Sequence, residues 1–505
     1  MEGTSPDVLH RGVLQTRIPT DSDNKAGQLF TVSELADYVL NQTSGDSIHS
    51  ADVAIQSPSR PPILSPPIPS GQRSTLTSPR QPSSTPTLSD SHQTQSLFRS
   101  SSNASDFSAG LDGASLAVAV GLPVRYGPTI LECVEVYFGS LYHVVNVVHE
   151  PSFRRLLARP SQLSLVQRCF VLAFCAASIL REACKHGEAI SDDVKEKGIR
   201  FLEQCFTLRA SIDFIEEQTP LVVTMSYFLH LSSACLEKVK SSGHFLREAI
   251  SFGMGLSLHE REQPNNLYDA DLICARRTLA LLSVTERAMA VLIDVPAILL
   301  RTPPSLPSVF FDAEDANTLD AFECLYSLFS LLNPTILGYW SSGRLENEAH
   351  RDTLRDMIEG VQHQLASRSL IDRPLPDIPR ADILVTQQWL RLILWQISNR
   401  LSLLSTLSPD PAFTYNYPIQ IAKDLCLVLE SLTEDAIAHH HFSIYCKIFE
   451  IAYSLMDILN LAGRQKDGPG VHELRVLFGI LANTPVTSMW YSKILMERTI
   501  AQEPV

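Results

Sequence analysis

From residue 128 to the C-terminus, apolar side chains recur at three- and four-residue intervals in one segment after another, and no strand-like alternation lasts more than a few residues. A helix with such a stripe buries it most simply against other helices, so the expected fold class is all-α. The spacing predicts helices over 130–148, 164–185, 193–210, 220–237 and 243–258. It predicts others over 321–332, 352–367, 383–407, 418–432, 435–461, 471–481 and 486–501. Thr219 and Pro220 read as a cap followed by a first-turn proline, and Pro151 breaks a run before Phe153 begins the next segment.

Residues 1–110 are different. They are rich in Ser, Thr, Pro, Gln and Asp, and prolines crowd the stretch 58–86. Such a composition buries too little apolar surface to offset the entropy of ordering, so a disordered N-terminal tail is expected. Within it, 29–40 has the pattern of a short docking helix capped by Ser33, and Ser57, Ser65, Ser78 and Thr85 each precede a proline, as proline-directed phosphorylation requires. The expected division is therefore a tail over 1–110, an N-terminal helical part over 121–335 and a C-terminal helical part over 336–505. The proline-rich stretch 371–380, IDRPLPDIPR, reads as the seam between two bundles.

The long segment that follows Asp269 carries the most specific pattern. Asp269 can cap a helix in which Leu272, Ala275, Leu279, Leu282, Met289 and Leu292 share helical spacing, and Pro296 ends it. Glu286 and Arg287 split its apolar run, which is then too short and too charged for the ~20 apolar residues of a membrane span. These two residues are expected to be a solvated step or an internal ion pair, and Leu282 to face the core. Pro303, Pro304 and Pro307 hold the chain beyond it extended.

Charge and cysteine usage narrow the partners. The net charge is -14, from 55 acidic against 41 basic residues, whereas a nucleic-acid surface needs clustered Lys and Arg. Protein partners are favoured, no secretory leader opens the chain, and no membrane association is expected. The ten cysteines sit singly in apolar helical segments as buried reduced thiols, and no CxxC pair is present. The run His439, His440 and His441 does not converge on one ion, because consecutive residues point around a helix. No cofactor and no metal are expected.

In their order, these segments resemble the regulatory domain of fungal zinc-cluster transcription factors over residues 126–335. YFGSLYHVVNVVHEPSF resembles the opening of that domain. The helix ending GLSLHE resembles a family helix end, and Arg276-Arg277 followed by Thr285-Glu286-Arg287 and the proline-marked exit at Pro296 resembles its RR…ER helix. Within the family the pattern looks most like regulators of carbohydrate use and of metabolite gene clusters. The resemblance implies a nuclear regulator or co-regulator of transcription, acting through protein contacts that include a DNA-binding zinc-cluster relative, with a small-molecule inducer. Two cysteine-rich groups holding two zinc ions would read the promoter in such proteins, and this chain shows none, so it is not expected to bind DNA alone. A natural co-regulator and a longer chain with an upstream cysteine-rich segment both stay open.

An enzyme is not expected. There is no GxGxxG, GxxxxGK[ST], GxSxG or HExxH, and the adjacent pair Asp192-Asp193 suits a helix start rather than a magnesium site. The remaining alternative is a helical scaffold without a transcriptional role. An inducer pocket, if built from helices, is expected between the segments 243–258 and 269–294, with Phe252, Met254 and Met289 as lining residues that ordinary packing would also explain.

Overall fold

The computed structural model describes residues 111–185, 190–216, 218–260, 270–292, 296–299, 316–343, 350–367, 374–440, 442–461 and 468–482. The tail over 1–110 with its 29–40 segment and phosphorylation sites, the capping residue Asp269, the prolines beyond 300, His441 and the helix expected over 486–501 lie outside the described residues. Within them every regular element is helical and no strand is present, so the fold is all-α.

The chain begins with α1 (Gly113–Ala119), capped by Asp112, and α2 (Gly127–Gly139). Their backbones touch: a Cβ on Gly127 would lie 2.5 Å from the carbonyl carbon of Gly113. Short α3 (Glu150–Leu157) leads to α4 (Leu165–Ala183), where Ser164 and Gln167 form a reciprocal capping box. Helix α4 is buried on nearly every side, because α2, α5 (Asp192–Arg209) and α6 (Pro220–Cys235) surround it. Pro220 is the first residue of α6, as expected, but the Thr219 hydroxyl makes no cap. It is buried without a hydrogen-bond partner, and the resemblance to a cap lay in residue type alone.

Helix α6 then packs on α7 (Val239–Gly255) and α8 (Ala270–Leu292). Helix α9 (Ala316–Ser330) joins α8 to the second half of the chain, since it also packs on α12 (Asp377–Arg400). Two helices precede α12: the short α10 (Pro334–Ser342) and α11 (Arg351–Ala366). Around α12 stand α11, α13 (Tyr417–Glu430), α14 (Glu434–Ala438) and α15 (Phe442–Leu461), and α16 (Val471–Ala482) packs on α13 and α15. All described residues fall in one compact unit.

The structure departs from the expected elements where a tertiary partner or a local stop intervenes. The segment 130–148 is two elements, because α2 ends at Gly139 and a 3-10 turn, Leu141–His143, follows. The segment 435–461 is also two, broken after Ala438. Helix α12 starts six residues earlier than its apolar period suggested, inside the proline-rich stretch, because Pro379 falls in the first turn, where a missing N–H costs no hydrogen bond. Two helices were not anticipated. In α10 the signal was present: Asn333 accepts from the Ile336 amide, Pro334 occupies the first turn, and Gly343 ends it at φ +59°.

Candidate functional site

The RR…ER helix is α8, and its polar residues are structural members of the core. Arg277 and Leu282 are 2 % and 0 % exposed, which places the expected core face where the spacing put it. Thr278 hydrogen bonds to Thr224 of α6 at 2.8 Å. Glu286 and Arg287 are buried, 4 % and 1 % exposed, so they are not a solvated step. They point at backbone rather than at an ion partner in the contacts described. Each Glu286 carboxylate oxygen accepts one amide from the chain just past the helix, Ile298 N at 2.7 Å and Leu299 N at 2.9 Å. Arg287 donates through Nε to the Leu332 carbonyl at 3.1 Å and through Nη1 to the Ser283 carbonyl at 3.1 Å and to its hydroxyl.

One turn of α8 therefore reads two neighbouring strands of chain. Glu286 pins the exit segment 296–299, and Arg287 pins the end of α9. Amides that no helix satisfies need partners when buried, and a carboxylate is the strongest acceptor a side chain offers. Arg276 is half-buried on the same helix, and Pro296, exposed, begins the pinned segment.

A small cleft opens beside this latch. It is lined by Val239, Lys240, Gly243, Leu246 and Arg247 of α7, by Glu286 and Met289 of α8 and by Pro296, with a volume of about 120 Å³. Its position follows from the way α7 and α8 diverge. At Gly253 the helices are so close that a Cβ would lie 2.9 Å from Leu279 Cδ1, whereas at Gly243 a Cβ would meet only Arg247 at 3.8 Å. Met289 lines the cleft. Phe252 is buried in the core and Met254 packs against it, and neither reaches the lining.

A second, larger cleft of about 280 Å³ lies between residues of the first and the second half of the chain. His143 supplies one wall, the α12 start at Pro376, Asp377, Ile378 and Pro379 another, and Thr433, Asp435 and Ala436 the third. Beneath it His440 Nε2 contacts the Ile378 carbonyl at 2.5 Å, and the His440 carbonyl accepts from Arg181 of α4 at 3.3 Å. His439 bonds its own helix through the Asp435 carbonyl at 2.7 Å. The two described histidines of the run thus hold backbone. The cluster Glu359, His363 and Asp410 has ligating atoms within 4.8 Å of one another, but His363 is largely exposed, and its Nε2 already lies 3.5 Å from Asp410 Oδ2.

The chain is similar to fungal proteins of maltose and sucrose use. It is 24 % identical over 301 residues to the probable sucrose utilization protein SUC1 of Candida albicans, covering 59 % of this chain and 58 % of that protein. It is 22 % identical over 332 residues to the maltose fermentation regulatory protein MAL13 of Saccharomyces cerevisiae, covering 65 % of this chain and 67 % of the relative. A third, the maltose fermentation regulatory protein YPR196W of the same yeast, is 23 % identical over 265 residues, or 55 % of its length. The chain thus spans between about half and two thirds of these relatives. No protein-family model and no solved structure matches it.

Proposed function

We propose that this chain is the regulatory part of a fungal transcriptional regulator of carbohydrate use, working in the nucleus through protein contacts rather than catalysis. The similarity over 301 residues to a sucrose utilization protein carries the reading, since it joins the motif order of α8 to relatives named for sugar metabolism. None of the three relatives is named for a secondary-metabolite cluster, so carbohydrate use is the branch retained. Promoter recognition would come from a DNA-binding zinc-cluster partner or from a further segment of a longer protein.

For an inducer we favour the larger cleft, on the ground of volume. Small-molecule sites occupy ~300 to 1,000 Å³, so about 120 Å³ beside Glu286 is too small, while about 280 Å³ near Asp377 and Asp435 approaches the lower bound. Carboxylates and the Thr433 hydroxyl suit a hydroxylated ligand, because they accept from and donate to sugar hydroxyls.

Fusion of residues 121–505 to an unrelated DNA-binding module tests the regulatory role. Reporter expression in a fungal cell should change, whereas a scaffold or an enzyme leaves it at the level of the module alone. An unchanged reporter with the fusion confirmed in the nucleus rejects this function.

A further inference from the structure

We propose that Glu359, His363 and Asp410 hold one zinc ion that fastens the chain beyond α12 to the face of α11.

Glu359 and His363 stand four residues apart on α11, so both side chains leave the same face one turn apart. Asp410 comes from the loop that follows α12, where it caps the short 3-10 helix Pro411–Phe413. Arg355, one turn before Glu359, already sets that loop against α11. Its guanidinium lies 4.7 Å over the Phe413 ring and donates to the Ser408 hydroxyl at 3.4 Å. The loop is also closed on itself, because the Ser405 amide donates to the Phe413 carbonyl at 2.9 Å. One ligating atom from each of the three residues then lies within 4.8 Å of the other two.

The two oxygens of Asp410 differ in a way that points to an ion. Oδ1 accepts the Ala412 amide at 2.9 Å, which fixes the carboxylate, but Oδ2 is sealed from solvent and accepts no hydrogen bond. A buried charged oxygen without a donor is costly, and such groups are few in folded proteins. His363 Nε2 faces it at 3.5 Å, beyond the upper limit of about 3.2 Å for an ordinary N–H···O bond. That separation suits two ligands of one ion instead. Zinc bonds of about 2.0 to 2.2 Å in a tetrahedron place neighbouring ligand atoms about 3.4 Å apart. Glu359 adds a second carboxylate, and among the described contacts neither carboxylate is ion-paired with a Lys or Arg. Two carboxylates this close repel unless a cation joins them.

Ligand type selects the metal. One imidazole with two carboxylates favours zinc over magnesium and calcium, which take oxygen ligands, and there is no thiolate to favour copper(I). The set uses neither the cysteines nor the histidine run. The His363 side chain is 66 % exposed, so an ion has an open approach and water completes its fourth position. Glu359 reaches its place by rotation about its broad terminal torsion, with no change in the helix. Zinc then ties residues 405–413 to α11 and, because Trp395 Nε1 donates to the Thr414 carbonyl at 2.9 Å, to the C-terminal turns of α12.

Zinc titration of the full chain without an affinity tag, against a chromophoric chelator, tests the site. The wild type should take up one ion per chain. Because His363 is exposed, His363→Ala should keep the helical dichroism of the wild type and bind no zinc at the same concentration, whereas His363→Cys, which restores a zinc ligand, should bind again. Hydrogen exchange of the wild type gives a reading that needs no variant to fold, since zinc should slow exchange in peptides covering 405–414. A wild type that binds no zinc overturns the proposal. So does uptake that is unchanged in His363→Ala, or uptake that leaves exchange over 405–414 unaltered, because the ion would then be held elsewhere.

Discussion

Glu286 shows how a charged residue can be required inside an apolar helix. Its two oxygens take two amides of the exit segment, so the carboxylate ties residues 298 and 299 to α8. Hydrogen bonds to a charged group contribute roughly 1.5 to 3 kcal/mol each. Glu286→Gln keeps one acceptor oxygen and should lose about that much stability while freeing one amide. Hydrogen exchange at Ile298 and Leu299 should then speed up, and unaltered protection at both positions would show that the latch does not hold the segment.

His230 is the corresponding case on α6. Burial pushes its imidazole down from 6.5 to about 4, while the Ser242 carbonyl, 2.9 Å from Nδ1, acts weakly in the opposite sense. The group is neutral in the folded chain and charged when unfolded between those values, so the unfolded state binds more protons in that window. Its contribution is fully present above pH 6.5 and is lost as pH falls to about 4, a change on the order of 3 kcal/mol. Chemical denaturation at stepped pH should show this slope, and His230→Gln should flatten it. An equal slope in the variant would assign the acid sensitivity to other groups.

Between elements, the α12–α15 contact is specified by polar rungs within an apolar interface. Asp382, Trp389 and Gln396, seven residues apart, meet Lys447 at 2.7 Å, Glu450 at 2.7 Å and Ser454 at 3.1 Å. Burial pushes the Asp382 carboxyl up, but Lys447, His440 and Thr386 together hold it at about 2. Breaking a buried pair from one side leaves an unpaired charge and costs roughly 3 to 5 kcal/mol. Lys447→Met should therefore destabilise strongly, and adding Asp382→Leu should recover much of the loss. A double variant no more stable than Lys447→Met would mean that packing around Lys447, not its charge, is what matters. On α8 the comparable test is Leu282→Asp, which puts an unpaired charge at a fully buried site and should unfold or insolubilise the chain. Melting like the wild type would contradict its core position.

At the scale of the whole molecule, the two halves meet through α9 on α12 and through Arg181 at the His440 carbonyl. The four tryptophans are at 340, 389, 395 and 490, all in the second half, while far-ultraviolet circular dichroism reports every helix. If the contacts couple the halves, urea transitions followed by tryptophan emission and by dichroism should coincide. Separated midpoints would show two independently unfolding parts.

Much of this architecture was legible along the chain, since helical period and proline or glycine punctuation are local properties. The α-class, most helix positions and the buried face of Leu282 follow from residues within a few turns of one another. Other features lie beyond that range. A helix period shows which face is buried but not what meets it, so Glu286 and Arg287 read equally well as a solvated step until the exit segment and the end of α9 were seen against them. The early start of α12 was missed for a local reason, because its apolar period begins only after Pro379, which a first turn tolerates. Arg181 and His440 are 259 residues apart, and Cys169 and Cys205 face each other only because α4 and α5 pack. Local chemistry decided that helices form and where they stop, and only packing decided which polar groups and thiols were brought together, because those partners are neighbours in space and not in sequence.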